Sequence, residues 1–320
     1  MKAIVCHEYG NPQVLHFEEV EKPTPNKTEL LIRIKATAVN SADYRLRKAD
    51  PFAVRFFFGL TKPKHKILGG VFSGTVEAIG SSVTQFKVGD HIFGSSALSY
   101  GFGTYAEYKT LPEHGVIALK PINLTHTEAA TIPFGGTTAL HFISKVKLQA
   151  GQRVFVNGAS GAVGTMMVQL AKYYNAHVTA MCSATNQELV KSLGADVVLN
   201  YNITPFASLG ESFDVIIDTV NKLPLSEATK KLTPQGKLVL VAAGLGEMLR
   251  GAWISATSKH QVITGVIREQ AADVQFLRKL TEEGHLKPII DRTYTLEQLS
   301  AAHEYVEKGH KRGNVAIIVD

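Results

Sequence analysis

In the stretch "RVFVNGASGAVGTMMVQLAKYY" three glycines, Gly158, Gly161 and Gly164, stand three residues apart between an apolar β-branched run and an amphipathic run of helical length. That spacing suits phosphate chemistry. One glycine permits a tight turn, one lets backbone approach a pyrophosphate, and one lets the helix pack closely on its strand. The helix N-terminus then offers unpaired amides to the anion. A bare triplet would also serve a plain turn. The strand before it, the helix after it and a second strand at the expected distance point instead to a dinucleotide site, with Ser160, Ala162 and Val163 completing the loop.

An NAD site usually shows an Asp or Glu about 20 residues further on, at the end of the second strand, bonded to the ribose 2′-hydroxyl. Here that place reads Cys182-Ser183-Ala184-Thr185-Asn186 and holds no carboxylate. A carboxylate would repel a 2′-phosphate, whereas Ser and Asn donate to its oxygens. The expected cofactor is therefore NADP(H), with Ser183 and Asn186 as the phosphate donors. No Arg or Lys lies within this segment, and Lys191 falls further along the next helix, so a moderate preference is expected. Thr185-x-x-Glu188 fits a capping box, which would make the nearest acid structural. Tyr201, closing "VVLNY", is placed either to meet the adenosine end or simply to cap a strand. Leu240 and Ala242 in "LVAAG" stand at the sheet's C-terminal edge, where their backbone could hold the nicotinamide.

These residues need a scaffold. From about Leu124 onward "RVFVNGA", "HVTAMCS", "VVLNY", "FDVIIDTV", "KLVLVAAG" and "HQVITGVI" are apolar runs of parallel-strand type, with helices such as "AVGTMMVQLAKYYN" and "NQELVKSLGA" between them. "THTEAATIPFGGTTALHFISKVK" reads as a helical pair. This predicts an α/β class with a doubly wound parallel sheet. Before it, short strands broken by Gly and Pro predict an irregular β-rich domain. The segment from about Ala271 suits either domain by pattern alone.

Composition excludes several classes. The 320 residues are enough for two cores, and 45% hydrophobic with 19% charged residues describes an ordinary globular protein. The net charge of +6 is modest; it could assist an anionic small ligand but does not argue for nucleic acid. The two cysteines, Cys6 and Cys182, have no C-x-x-C spacing, so neither a disulfide framework nor a cysteine zinc site is expected, and a reducing cytosol fits best. No apolar run approaches the roughly 20 residues that span a bilayer.

Several stretches together resemble the medium-chain dehydrogenase/reductase superfamily, specifically its zinc-free quinone oxidoreductase branch. "AVNSADYRLR" (38 to 47) is similar to that branch's Asn-Pro-x-Asp-x-x-x-Arg segment, with Ser41 in place of the proline. "GGVFSGTVEAIGSSVTQFKVGDHIFG" (69 to 94), "GTYAEY", "GGTTALHFI", "NGASGAVGTMMVQLAK", "SLGADVVLNY" and "GHKRGNVAI" follow in family order. The resemblance implies a GroES-like catalytic domain over 1–123, a Rossmann NADP-binding domain over 124–268, and a return of 269–320 to the catalytic domain, which makes that domain discontinuous. It also implies no metal: zinc-dependent relatives carry Gly-His-Glu where Gly69-Gly70-Val71 stand, and residues 95 to 110 lack the cysteines of their structural-zinc lobe. Relatives of this kind are often dimers, so a homodimer is the expected assembly.

Without a Lewis acid, hydride transfer is easier to a quinone or conjugated enone, which delocalises the incoming charge, than to a simple ketone. The resemblance points the same way. The expected activity is zinc-independent reduction of such a substrate by NADPH. The alternatives are a zinc-free alcohol or ketone dehydrogenase, or a low-turnover NADPH-binding sensor or structural protein. Candidate catalytic residues are Asn40, whose amide could donate to the substrate oxygen, Thr138 near the nicotinamide ribose, and Tyr44 as an acid; turn stabilisation, helix capping and aromatic packing are their respective bland roles. Tyr105 is a second tyrosine for which core packing is the better reading. Asp43 and Arg47 suit a pair on one helical turn. His310 and Arg312 resemble a C-terminal cofactor contact, a solvated basic turn being the alternative. In "DPFAVRFFFGLTKPKHK" (50 to 66), Phe56, Phe57 and Phe58 cannot all face one core. They suit the apolar wall of a substrate pocket, a membrane-surface loop or packing under a long loop.

Overall fold

A computed structural model describes residues 1–97 and 100–319, which fall into two compact units, 1–134 with 270–320 and 135–269. In the second unit, the strands Arg153–Asn157, His177–Cys182, Val197–Asn200, Phe213–Asp218, Leu232–Leu240 and Gln261–Ile263 form one parallel sheet. Numbered by their order in the chain, they lie in the spatial order 3-2-1-4-5-6. Chain direction around the sheet reverses between Arg153–Asn157 and Phe213–Asp218, the switch point at which open α/β sheets collect ligands. Val154, Phe155, Val156, Val215, Ile216 and Ile217 are buried along these two strands because both sheet faces are covered. Each such side chain contributes about 1.5–3 kcal/mol of transfer free energy.

In the first unit the long strand Glu29–Val39 pairs with three others: Val71–Ile79, Tyr108–Pro112 and Asn314–Ile318. The last of these pairings draws the C-terminal segment into the first unit's sheet, and Ile290–Thr295 adds to its outer side. Leu30, Ile32, Ile34, Phe72, Ile92, Leu299 and Ile317 build the core beneath it. Glu29–Val39 runs directly into the helix Ser41–Lys48, so the residue between them is held at the end of the most extensively paired strand of this sheet.

Candidate nicotinamide-cofactor site

The glycine turn has the three properties that its spacing predicts. Gly158 has φ +74°, and a Cβ there would lie 2.5 Å from Thr219 Oγ1. At Gly164 a Cβ would lie 2.1 Å from the Gly158 carbonyl oxygen, so helix and turn touch through bare backbone. Gly161 differs: its nearest neighbour would be 3.6 Å away, in open contact range. Gly161 is also the N-cap of the helix Ala162–Tyr173, and no side chain caps it. The first-turn amides at Ala162, Val163 and Gly164 are those a helix leaves without internal partners. An uncapped helix end beside an open glycine leaves backbone amides and space for an anion.

Sequence reasoning missed the group that fixes this turn. Asp218 ends the neighbouring strand, fully buried, and its carboxylate accepts from Asn157 Nδ2 (3.0 Å) and from the amides of Val220 (3.1 Å), Lys222 and Leu223 (both 2.8 Å). Four donors compensate one buried charge. Next to it the Thr219 hydroxyl donates to the carbonyls of Asn157 and Gly158. The available signal was an acid at the tip of the apolar run "FDVIID", facing no solvent.

At the end of the second strand the structure brings together residues far apart in sequence. Asn186 Nδ2 donates to Ser160 Oγ at 3.1 Å and to Ser183 Oγ at 3.0 Å, while Ser183 and Thr185 share a hydroxyl contact at 3.1 Å. The Tyr201 amide donates to the Cys182 carbonyl, and its ring is half exposed beside the same strand end. The capping box expected of Thr185 and Glu188 is absent. Residues Ala184–Asn186 form a 3₁₀ turn starting at Ser183, and the α-helix Gln187–Ser192 begins from Asn186, so Thr185 lies a residue too early to cap it. Glu188 and Lys191 are exposed. Leu240 is buried at its strand's last position, and Ala242 follows in the partly buried turn before the helix Leu245–Thr257.

Asn40 occupies the junction described above and is buried. Its amide N–H donates to Asp43 Oδ2 at 2.7 Å, half of a capping box, while its side-chain Oδ1 is buried without a hydrogen-bond partner. A buried orphan acceptor is costly unless a ligand donates to it. Asp43 does not pair with Arg47: burial pushes its carboxyl up to about 7, tempered by the Asn40 amide and the Tyr105 hydroxyl. Arg47, itself fully buried, turns instead to Glu307, the Gly10 carbonyl and His303 Nδ1. Tyr105 is in the core, and Tyr44 packs against the same cluster. Thr138 is buried in the helix Ile132–Val146 of the second unit's start.

These titrations set an acid-side stability profile. Burial lowers His303 to about 3 and His126 to about 4, so between those values and 6.5 the unfolded chain binds protons on both and the folded chain does not. Asp43 works in the opposite sense from 3.8 to about 7, where only the folded chain keeps its proton. Burial also lowers His65 and His141 and raises Asp273, so the lowered histidines still outnumber the raised carboxyls. Denaturant-measured stability should rise from pH 4.5 to 6.5, and Asp43→Asn should steepen that rise by deleting the opposing group. A rise no steeper in the variant would contradict the assignment.

Phe56 and Phe57, on the short helix Val54–Phe58, are 67% and 82% exposed, whereas Phe58 is buried against Phe102 at 5.0 Å between ring centroids. His310 and Arg312 lie on an exposed turn, where the Arg312 amide donates to Asp291 Oδ2 and its guanidinium faces the same carboxylate at 3.8 Å. His91 packs edge-on to His126 at 5.0 Å, and His65 packs against Phe58 and Phe102. Among the described residues no three His, Cys, Asp or Glu side chains gather where they could hold a metal ion, and no helix is long and apolar enough to cross a membrane.

A six-stranded sheet of this order, with an uncapped glycine turn at its switch point, is the doubly wound fold that binds dinucleotides, here joined to a β-rich unit completed by the chain's return. The family descriptions agree. Residues 26–121 match the alcohol dehydrogenase GroES-like domain and residues 193–317 match the zinc-binding dehydrogenase family. A chloroplast envelope quinone oxidoreductase homolog of Arabidopsis thaliana is 33% identical, over 99% of this chain and 98% of its own. An NADPH-dependent alkenal/one oxidoreductase of the same plant is 29% identical, over 99% of this chain and 79% of its own. The solved quinone oxidoreductase of Coxiella burnetii superposes with a TM-score of 0.90 at 28% identity, covering 100% of this chain and 99% of that one. The chain belongs to the quinone oxidoreductase branch of the medium-chain dehydrogenase/reductase superfamily, enzymes that work with a nicotinamide cofactor.

Proposed function

We propose that this chain reduces quinones or α,β-unsaturated carbonyls with NADPH, without a metal. The observation that carries the cofactor choice is the cluster of Ser160, Ser183 and Asn186, three neutral hydrogen-bonding groups joined where an NAD site would hold a carboxylate. The substrate class is supported by the names of the quinone and alkenal/one oxidoreductase relatives. When bound, the cofactor supplies the hydride. The protein's part is to hold and orient: the turn at Gly158–Gly164 and the amides of Ala162 and Val163 take the pyrophosphate, and Tyr201 flanks the adenosine. The backbone of Leu240 and Ala242 takes the carboxamide end, with His310 and Arg312 assigned to the cofactor's outer side.

Asn40 and Thr138 are the residues assigned to the reacting end. The Asn40 Oδ1, buried and unpaired, is suited to accept from a hydroxyl or amide of the bound pair. Asp43 is a positioning residue, since it holds the Asn40 backbone. Tyr44 stands against the core cluster, which favours packing over proton delivery, so we assign the proton to water. The two buried, unpaired thiols at Cys6 and Cys182 suit a reducing compartment such as the cytosol.

For the substrate wall we assign Phe56 and Phe57, whose rings are exposed, Phe56 lying edge-on to Phe52 at 6.1 Å, and exclude Phe58, whose ring is core. Phe58→Ala should cost about 3–5 kcal/mol of stability, as large-to-small core changes do. Phe56→Ala or Phe57→Ala should raise quinone KM severalfold with NADPH affinity and melting temperature nearly unchanged. If neither exposed-ring variant moves KM, the substrate lies elsewhere.

A further inference from the structure

Four large apolar side chains crowd one short loop of the first unit: Phe52, Phe56, Phe57 and Leu60 are 65%, 67%, 82% and 60% exposed. Apolar residues scattered singly over a surface need no explanation, but a contiguous group does. The loop is not loose at its base. Phe58 is locked against Phe102 and His65, the Lys64 amide donates to the Phe58 carbonyl at 2.7 Å, and the Tyr9 hydroxyl donates to the Gly59 carbonyl at 2.7 Å. The rings are therefore presented outward on a fixed platform. Arg55 lies over the rings of Phe52 and Tyr9, a cation held at ring level.

The charges around the rings are mostly of one sign, the exposed Asp50 at the start of the loop being its one acid. From Pro51 to Val76 the chain contains no Asp or Glu, while Arg55, Lys62, Lys64 and Lys66 all fall within that stretch. Lys64 and Lys66 continue into an open groove of about 540 Å³ in the same unit, lined also by Lys109, Val20 and Ile67, with Glu21 as its one acid. Burial lowers the Lys109 ammonium below its ordinary value, so a neighbouring anion would restore what its surroundings withhold.

We propose that loop 50–66 docks this protein on an anionic bilayer, its exposed Phe52 and Leu60 side chains entering the headgroup–acyl boundary while the lysines beside them meet lipid phosphates. Charge complementarity selects that occupant over a neutral apolar partner, because an apolar protein patch would leave four cations desolvated and unpaired. The arrangement is the two-signal anchoring that gives peripheral proteins a reversible hold: apolar insertion plus a basic cluster. It goes beyond the quinone reading and does not rest on it.

The test is co-sedimentation of the full chain with vesicles of phosphatidylglycerol and phosphatidylcholine mixed, against phosphatidylcholine alone. Binding is expected only to the anionic vesicles and should weaken as salt rises. Leu60→Ser and Lys62→Glu should each lower it by at least about fivefold. NADPH affinity and vesicle-free turnover of a water-soluble quinone should stay unchanged, which separates this outcome from failure of the enzymatic reading. Lys230→Glu, the same charge change on the other unit, should leave vesicle binding alone. Four results would overturn the proposal: no binding to anionic vesicles, equal binding to both kinds, loss by Lys230→Glu as large as by Lys62→Glu, or full displacement by millimolar glycerophosphate.

Discussion

Gly164→Ala is expected to abolish NADPH binding and to lower the melting temperature sharply, while Gly161→Ala is expected to weaken binding about tenfold or more with only a small change in melting. The contrast follows from where the added methyl would go. At Gly164 it meets the Gly158 carbonyl oxygen at 2.1 Å and the Ala159 backbone at 2.8 Å, and neither can move without opening the turn. Overpacking of that kind costs about 1–3 kcal/mol or more, and the strained turn would no longer present its amides. At Gly161 the methyl meets protein only at 3.6 Å, and φ is −80°, comfortable for alanine. Losing a glycine N-cap costs at most about 1 kcal/mol. Any further loss of nucleotide affinity then reports that the vacant space beside Gly161 is where phosphate sits. Isothermal titration with NADPH and a thermal melt of both variants read this directly. Equal affinity of Gly161→Ala and the parent would move the pyrophosphate off this helix end.

The second large effect concerns the ribose. Asn186→Asp or Ser183→Asp should cut the ratio of NADPH to NADH affinity by about tenfold or more, equivalent to the roughly 1–3 kcal/mol that a new carboxylate beside a phosphate costs. Asn186 touches both Ser160 and Ser183, so an aspartate there stands at the centre of the cluster. Its oxygens can accept from both hydroxyls where the Asn186 Nδ2 now donates to them, which keeps the local fold. An affinity ratio that stays put in both variants, or a parent that binds the two cofactors equally, would contradict the assignment of these residues to the 2′-phosphate.

How far the sequence was legible depended on whether a signal was local. The parallel strands were readable because two covered faces demand unbroken apolar runs, and the helical pair over 126–146 because its apolar residues recur at helical period. The roles of the three glycines follow from steric facts that hold wherever a strand turns tightly into a helix. Less readable was anything decided by a distant partner. Asp43 and Arg47, four apart, suggested an ion pair, yet Arg47 is claimed by Glu307, 260 residues away, and Asp43 by its own N-cap. The Thr185–Glu188 pattern yielded to a 3₁₀ turn because Asn186 bonds Ser160 and Ser183 and starts the helix itself. Of three consecutive phenylalanines, only the finding of Phe102 opposite Phe58 shows which one is core. The helix Leu245–Thr257 drew no expectation at all: Leu245, Leu249 and Trp253 on it are exposed, so its apolar spacing marks no buried face.

The central claim, a reductase that uses NADPH on conjugated acceptors without metal, is tested most directly by steady-state NADPH oxidation. Parallel assays would use a panel of quinones, α,β-unsaturated carbonyls and saturated ketones, each run with and without a strong chelator, beside metal analysis of the same protein. The account predicts turnover of quinones or enones, little or none of saturated ketones, no loss to the chelator and no stoichiometric zinc. Turnover confined to saturated ketones or alcohols, or activity that the chelator removes together with one zinc per chain, would contradict it.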